Sequence, residues 1–220
     1  MRPWIAVFAV LAVACSPTVR NNDAIESMLS EIAQNQRQTA ERTLDPRDFA
    51  AAADAYEQLL DEVPKAAPRH RWDMAESQLR AGRYQQAAAS YETLIGTPYE
   101  DVAVYMSYRC WHLIAFRDVG IHDRPEWSNQ PLTASQQAFV DSVGRLLTHE
   151  FAPQAPAGVP DFSLAAMRFR PAMLLESAEL LLAHDRQSDA EPLLEELLTE
   201  HAESPHARQA RQLLRARSGS

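Results

Sequence analysis

Lysine is nearly missing from this chain: of 21 Lys and Arg residues, Lys65 is the one lysine. A P-loop requires Gly-x-x-x-x-Gly-Lys-Ser/Thr, and Lys65 sits instead in Val63-Pro64-Lys65, so that phosphate cradle is excluded. A Schiff-base mechanism would also have to use Lys65, beside a proline at a helix end, which is no dry pocket. Glycine is scarce too, with six residues, and neither a Gly-x-Gly-x-x-Gly loop nor a Gly-x-Ser-x-Gly elbow occurs. Seven histidines are scattered without His-Glu-x-x-His spacing, and no Cys-x-x-Cys or clustered carboxylate loop is present. His122-Asp123 and His149-Glu150 are chain neighbours, and neighbours do not share a helix face. We therefore expect no enzyme, no metal and no cofactor. Positive charge is also in deficit: the formal net charge is −9 and the pI about 5.3, which argues against a nucleic-acid partner. What remains is ordinary globular usage, 46% hydrophobic and 23% charged over 220 residues, enough for one substantial domain or two small ones.

The N-terminus is an address rather than part of the fold. After Met1-Arg2-Pro3, the uncharged run Trp4 to Ala14 is too short to span a bilayer, which takes ~20 apolar residues. A charged start, a short apolar core and a small residue before a processing point describe a secretory signal over 1–14. The stretch Leu11-Ala12-Val13-Ala14-Cys15 resembles the lipobox of bacterial lipoproteins, departing from it at Ala12. The resemblance implies that Cys15 is acylated and that residues 15–23 tether the folded part to a membrane. Several acyl chains anchor stably where one does not. Ser16 lacks the acidic residue associated with inner-membrane retention, which favours the outer membrane, facing the periplasm. With Cys15 lipidated, Cys110 has no partner for an internal bridge. It lies in the helix-periodic Tyr108-Arg109-Cys110-Trp111 and reads as a buried, inert thiol.

Beyond the tether, apolar residues recur at three- and four-residue spacing in block after block, which predicts helices and no strands. We place them at 24–44, 47–62, 68–81, 84–96, 100–118, 133–151, 163–184, 187–200 and 205–216. Breaks fall at Asp45-Pro46, Pro64, Gly82, Gly96 to Pro98, two Pro-rich stretches, and Ser204-Pro205. Ala52, Tyr56 and Leu59 recur 35 residues on as Ala87, Tyr91 and Leu94. The unit from Ala75 through Gly82, Tyr84, Ala87, Tyr91 and Leu94 to Pro98 resembles the tetratricopeptide repeat, with Gln78 where an aromatic is usual. A looser match runs through Ala178, Ala190, Leu194 and Leu197 and opens another helix at Ser204-Pro205. That ending is weakly similar to outer-membrane assembly lipoproteins of the BamD type and to Tol-Pal-associated periplasmic repeat proteins.

The expected fold is all-α, a right-handed α-solenoid. Repeat-like hairpins would occupy 24–118, an irregular region with one helix and two long Pro-rich loops 119–162, and a hairpin plus capping helix 163–216. Stacked hairpins leave an extended surface suited to a peptide or helix. The resemblance places helix A of the best unit on the concave side, with Arg69, Trp72, Glu76, Leu79 and Arg80 as the candidate partner-binding residues. A core tryptophan is the other reading of Trp72. The expected function is a lipid-anchored envelope scaffold that binds another protein, in outer-membrane or envelope assembly. The alternative is a glycan- or peptidoglycan-binding or enzyme-accessory module using the loops at 119–132 and 152–162, with Trp127 for sugar stacking. Arg208, Arg211, Arg215 and Arg217 form a basic C-terminal stripe that reads as a solvated face or a docking site.

Overall fold

The structure is a computed structural model that describes residues 22–116, 131–152 and 157–218. The expected signal peptide and Cys15, residues 119–130 of the first Pro-rich loop with His122 and Trp127, and residues 153–156 of the second lie outside them. Among the described residues the fold is all-α, with nine helices in chain order: α1 (Asn22–Thr43), α2 (Pro46–Glu62), α3 (Pro68–Arg80), α4 (Tyr84–Glu92), α5 (Glu100–Ala115), α6 (Ala134–Thr148), α7 (Ser163–Ala183), α8 (Gln187–Glu200) and α9 (Pro205–Ser218). Each packs against the next in sequence, and α7 also reaches α9. No described helix is long and apolar enough to cross a membrane.

The ends of the helices follow from local chemistry. Asp45 caps α2, its carboxylate accepting from the Arg47 N–H at 2.8 Å, with Pro46 at the first helical position where a missing N–H costs nothing. Thr133 and Gln136 close a reciprocal capping box on α6. The Ser204 hydroxyl accepts from the Ala207 N–H at 3.0 Å at the start of α9. Three expected helices are shorter than their periodicity suggested, α5 ending at Ala115 with Phe116 as its cap. α4 stops at Glu92, because Leu94, Ile95 and Thr97 bond three residues back, to Tyr91, Glu92 and Leu94. Gly96 then turns the chain with φ 81°. α6 stops at Thr148, where His149 leaves the helix to meet Asp101 of α5 at 2.7 Å. α7 runs through Pro171 without a break. The carbonyl deprived of its partner belongs to Met167, whose side chain is 59% exposed, so water has access there.

Three hairpins share one set of buried positions. In α3–α4, Ala75, Ala87, Tyr91 and Leu94 are fully buried. The same intervals of twelve, four and three residues give Ala178, Ala190, Leu194 and Leu197 in α7–α8, and Ala40, Ala52, Tyr56 and Leu59 in α1–α2, all buried. Alanine at the paired crossing positions lets the two backbones approach closely, and the larger residues one and two turns on fill the space beside them. Two of the hairpins also turn identically. Gly82 (φ 77°) sits where Arg83 N–H reaches Gln78 O at 2.9 Å and Gly82 N–H reaches Leu79 O at 3.0 Å. Asp185 (φ 57°) sits in the corresponding pair, Arg186 to Leu181 at 2.9 Å and Asp185 to Leu182 at 3.4 Å. Both are Schellman ends, which require a left-handed residue.

The apolar interior gathers in three groups along the chain. Leu29, Ala33, Tyr56, Leu59, Val63 and Ala66 join α1, α2 and the approach to α3. A central group runs from Trp72 through Tyr91, Tyr105 and Phe139 to Met173 and Leu180. The third, from Leu174 to Ala210, joins α7, α8 and α9.

Candidate functional site

The candidate residues converge on α3, whose geometry separates them into two sets. Arg69, Asp73, Glu76 and Arg80 are four, seven and eleven residues along from the first, so they share one helix face. Asp73 is buried and takes both Arg37 of α1 and Arg69, the latter at 3.1 Å. Burial works against the Arg37 charge, but Asp73 and Glu41 more than offset this and its pKa is raised. Arg69 also donates to the Gly158 carbonyl at 3.3 Å, tying the face to the segment before α7. Glu76 accepts from the Tyr91 hydroxyl at 3.1 Å and from Arg80 at 3.1 Å, and the Arg80 guanidinium lies 5.2 Å from the centre of the Phe49 ring. Arg69 and Arg80 thus remain exposed yet are held in place, the condition under which a guanidinium recognises a partner at low entropic cost.

Trp72 corrects the expected surface. It is 5% exposed, tilted against Tyr91 with centroids 5.5 Å apart and stacked on Tyr99 at 6.2 Å. The start of α5 brings Tyr99 over this flank of α3, so the indole is enclosed as a core side chain and presents no surface to a partner. Leu79, on the same flank, is partly buried against the same core. The available face therefore consists of Arg69, Glu76 and Arg80. Asp73, which organises it, was missed in the sequence. An acidic residue one turn after an arginine reads as a surface pair until Arg37, 36 residues earlier, is known to meet it.

Other polar groups pair between helices. Glu92 of α4 accepts from Ser107 at 3.1 Å, Trp111 at 3.4 Å and Arg145 at 2.7 Å, joining α4, α5 and α6. His112 meets Glu176 at 3.1 Å and His149 meets Asp101 rather than its neighbour Glu150. Asp101 also accepts from the Ala152 N–H at 3.1 Å, so it fastens the segment leaving α6. Cys110 is buried, and desolvation pushes its thiol up to about 12, keeping it neutral and unreactive. Glu196, Glu200 and His201 place three potential ligand atoms within 4.8 Å of one another, a grouping without sequence-motif spacing. There Arg170 already holds Glu196 at 2.5 Å and supplies the positive charge. In comparisons with known proteins, the chain matches no family model, no curated protein and no solved structure.

Proposed function

We propose that the chain is a lipid-anchored envelope scaffold, a right-handed α-solenoid of tetratricopeptide-like hairpins that holds another protein. One observation carries this reading: Ala40/Ala52/Tyr56/Leu59, Ala75/Ala87/Tyr91/Leu94 and Ala178/Ala190/Leu194/Leu197 are buried at identical intervals in three separate hairpins. A hairpin with such a face cannot bury it alone, and stacking on neighbours leaves an extended surface whose residues are free to vary for binding. On that surface the contact set is Arg69, Glu76 and Arg80 of α3, with Trp72 behind it as support. The anchor is Cys15, and since α1 begins at Asn22, two residues before the expected start, the tether is the seven residues 15–21, so the hairpins work close to the membrane, in the periplasm and on the outer membrane by the Ser16 argument. The test is Cys15→Ala with metabolic labelling by a fatty-acid analogue. Loss of label and release from the membrane into the soluble envelope fraction is expected. Unchanged labelling and membrane recovery would refute the anchor.

A further inference from the structure

The helix nearest the proposed anchor, α1, presents two different faces. On the inner one Leu29, Ala33 and Ala40 are buried, while Glu26 accepts from the Ala67 N–H and Arg37 reaches Asp73. Ala24, Met28, Ile32, Asn35 and Thr39 lie elsewhere. The last four stand four, eight, eleven and fifteen residues along from Ala24, which puts all five on one line down the helix. Each is exposed, Met28 by 41% and Ile32 by 42%. The line carries no charge over about 22 Å of helix, and Glu31 stands at its edge, able to stay in water. A single exposed apolar side chain is ordinary, but two on successive turns of an uncharged line make an amphipathic face.

We propose that this line of α1 rests on the bilayer that holds Cys15. Met28 and Ile32 dip to the boundary between headgroups and acyl chains, and Asn35 and Thr39 meet the headgroups. The chain before α1 identifies the occupant. Residues 15–21 extend by at most about 25 Å, so the start of α1 cannot leave an acylated Cys15 by more than that. Met28 is six residues beyond Asn22, ~9 Å along the axis. A contact too weak to recruit a free protein becomes effective once a short tether holds the helix over the lipid at high local concentration. Helices lying in the interface bury an apolar face ~5–10 Å deep. Here the apolar part is two side chains, so the contact orients the hairpins while the acyl chains anchor them. The inference rests on the lipoprotein reading and adds to it which side of the first hairpin faces the membrane.

The probe is the full acylated chain in vesicles of phosphatidylethanolamine and phosphatidylglycerol, labelled with an environment-sensitive dye at one introduced thiol. Cys110 is buried and does not compete for the dye. Met28→Cys and Ile32→Cys should give a blue shift and a loss of fluorescence when lipids carrying a nitroxide on the acyl chain are included. Ser27→Cys and Gln34→Cys, exposed at the same height on another side of α1, should give neither. A dye at Asn35→Cys should respond like Met28→Cys, and lose that response when Met28→Gln and Ile32→Gln are added. All these positions are exposed, and circular dichroism confirms helicity. Equal quenching at every position, or an Asn35 response unchanged by the two glutamines, would mean proximity without a specific contact and overturn the proposal. A blue shift that grows with protein concentration but is not quenched by the nitroxide would put a second copy on the line and also overturn it. Vesicle-bound protein with every dye in water would sink this inference alone. Protein that carries no acyl group and does not sediment with vesicles would sink the anchor, and the contact with it.

Discussion

Leu44 ends α1 with φ 56°, its side chain 70% exposed and its N–H bonded to Ala40 O at 2.8 Å. A left-handed backbone costs an L-residue ~1–2 kcal/mol, and little packing is lost by removing this side chain. Leu44→Gly should therefore raise stability by about 0.5 kcal/mol, after the extra freedom of glycine in the unfolded chain is subtracted. Urea unfolding checks it, and a clear decrease would mean that Leu44 packs in solution. Buried acidic protons set a second expectation. Burial first, then Asp73, lifts Tyr56 up to about 12 from an ordinary 10.0, and burial lifts Cys110 up to about 12 from 9.0. Tyr91 and Tyr108 are raised further for the same leading reason. Each group holds its proton more tightly folded than unfolded. Its stabilising contribution is complete below its ordinary pKa and is lost as pH rises through the folded value. The urea midpoint should fall steadily as pH climbs from about 9 towards 12, and a flat profile would contradict this burial.

At the scale of the helix and hairpin, the crossing alanines make the sharpest test. Ala87→Leu and Ala190→Leu should each cost ~1–3 kcal/mol, because a larger side chain must separate two helices in close contact. Thermal melting of both variants checks it, and an unchanged melting temperature in either would mean that its hairpin has no close crossing. The periodicity made these elements legible: nine helices were placed with their order intact, and their starts at Pro46, Pro68 and Pro205 follow from proline chemistry. Endings were harder to read. Whether α4 continues past Glu92 depends on threonine hydroxyls competing for carbonyls, with Thr93 on Ser90 O at 2.7 Å and Thr97 on Leu94 O at 2.6 Å. Gln78 departed from the repeat pattern by placing an amide where an aromatic is usual. The structure supplies the reason, because Ser90, twelve residues later on the facing helix, satisfies its oxygen.

For the whole molecule, the sequence was most legible where chemistry is local and least where it depends on which helix lands beside which. Ala40 escaped notice because the recurrence was read from Ala52, Tyr56 and Leu59 onward, and the turn before them is made by Leu44 rather than by a glycine. Trp72 was ambiguous for the same reason, since its burial is decided by Tyr99 and Tyr91 on two later elements. The candidate site shrank accordingly, from five residues on α3 to the exposed Arg69 and Arg80 with the half-buried Glu76 between them, held by Asp73, Tyr91 and Phe49. We propose that this face holds a protein partner. The most direct measurement is photo-crosslinking in intact cells, with a photoreactive residue placed at Arg69, Glu76 or Arg80 and, as controls, at Glu195 or Glu203. One adduct of the same mass is expected from the three α3 positions and none from the controls. No adduct from any α3 position, or the same adducts from every position, would contradict it.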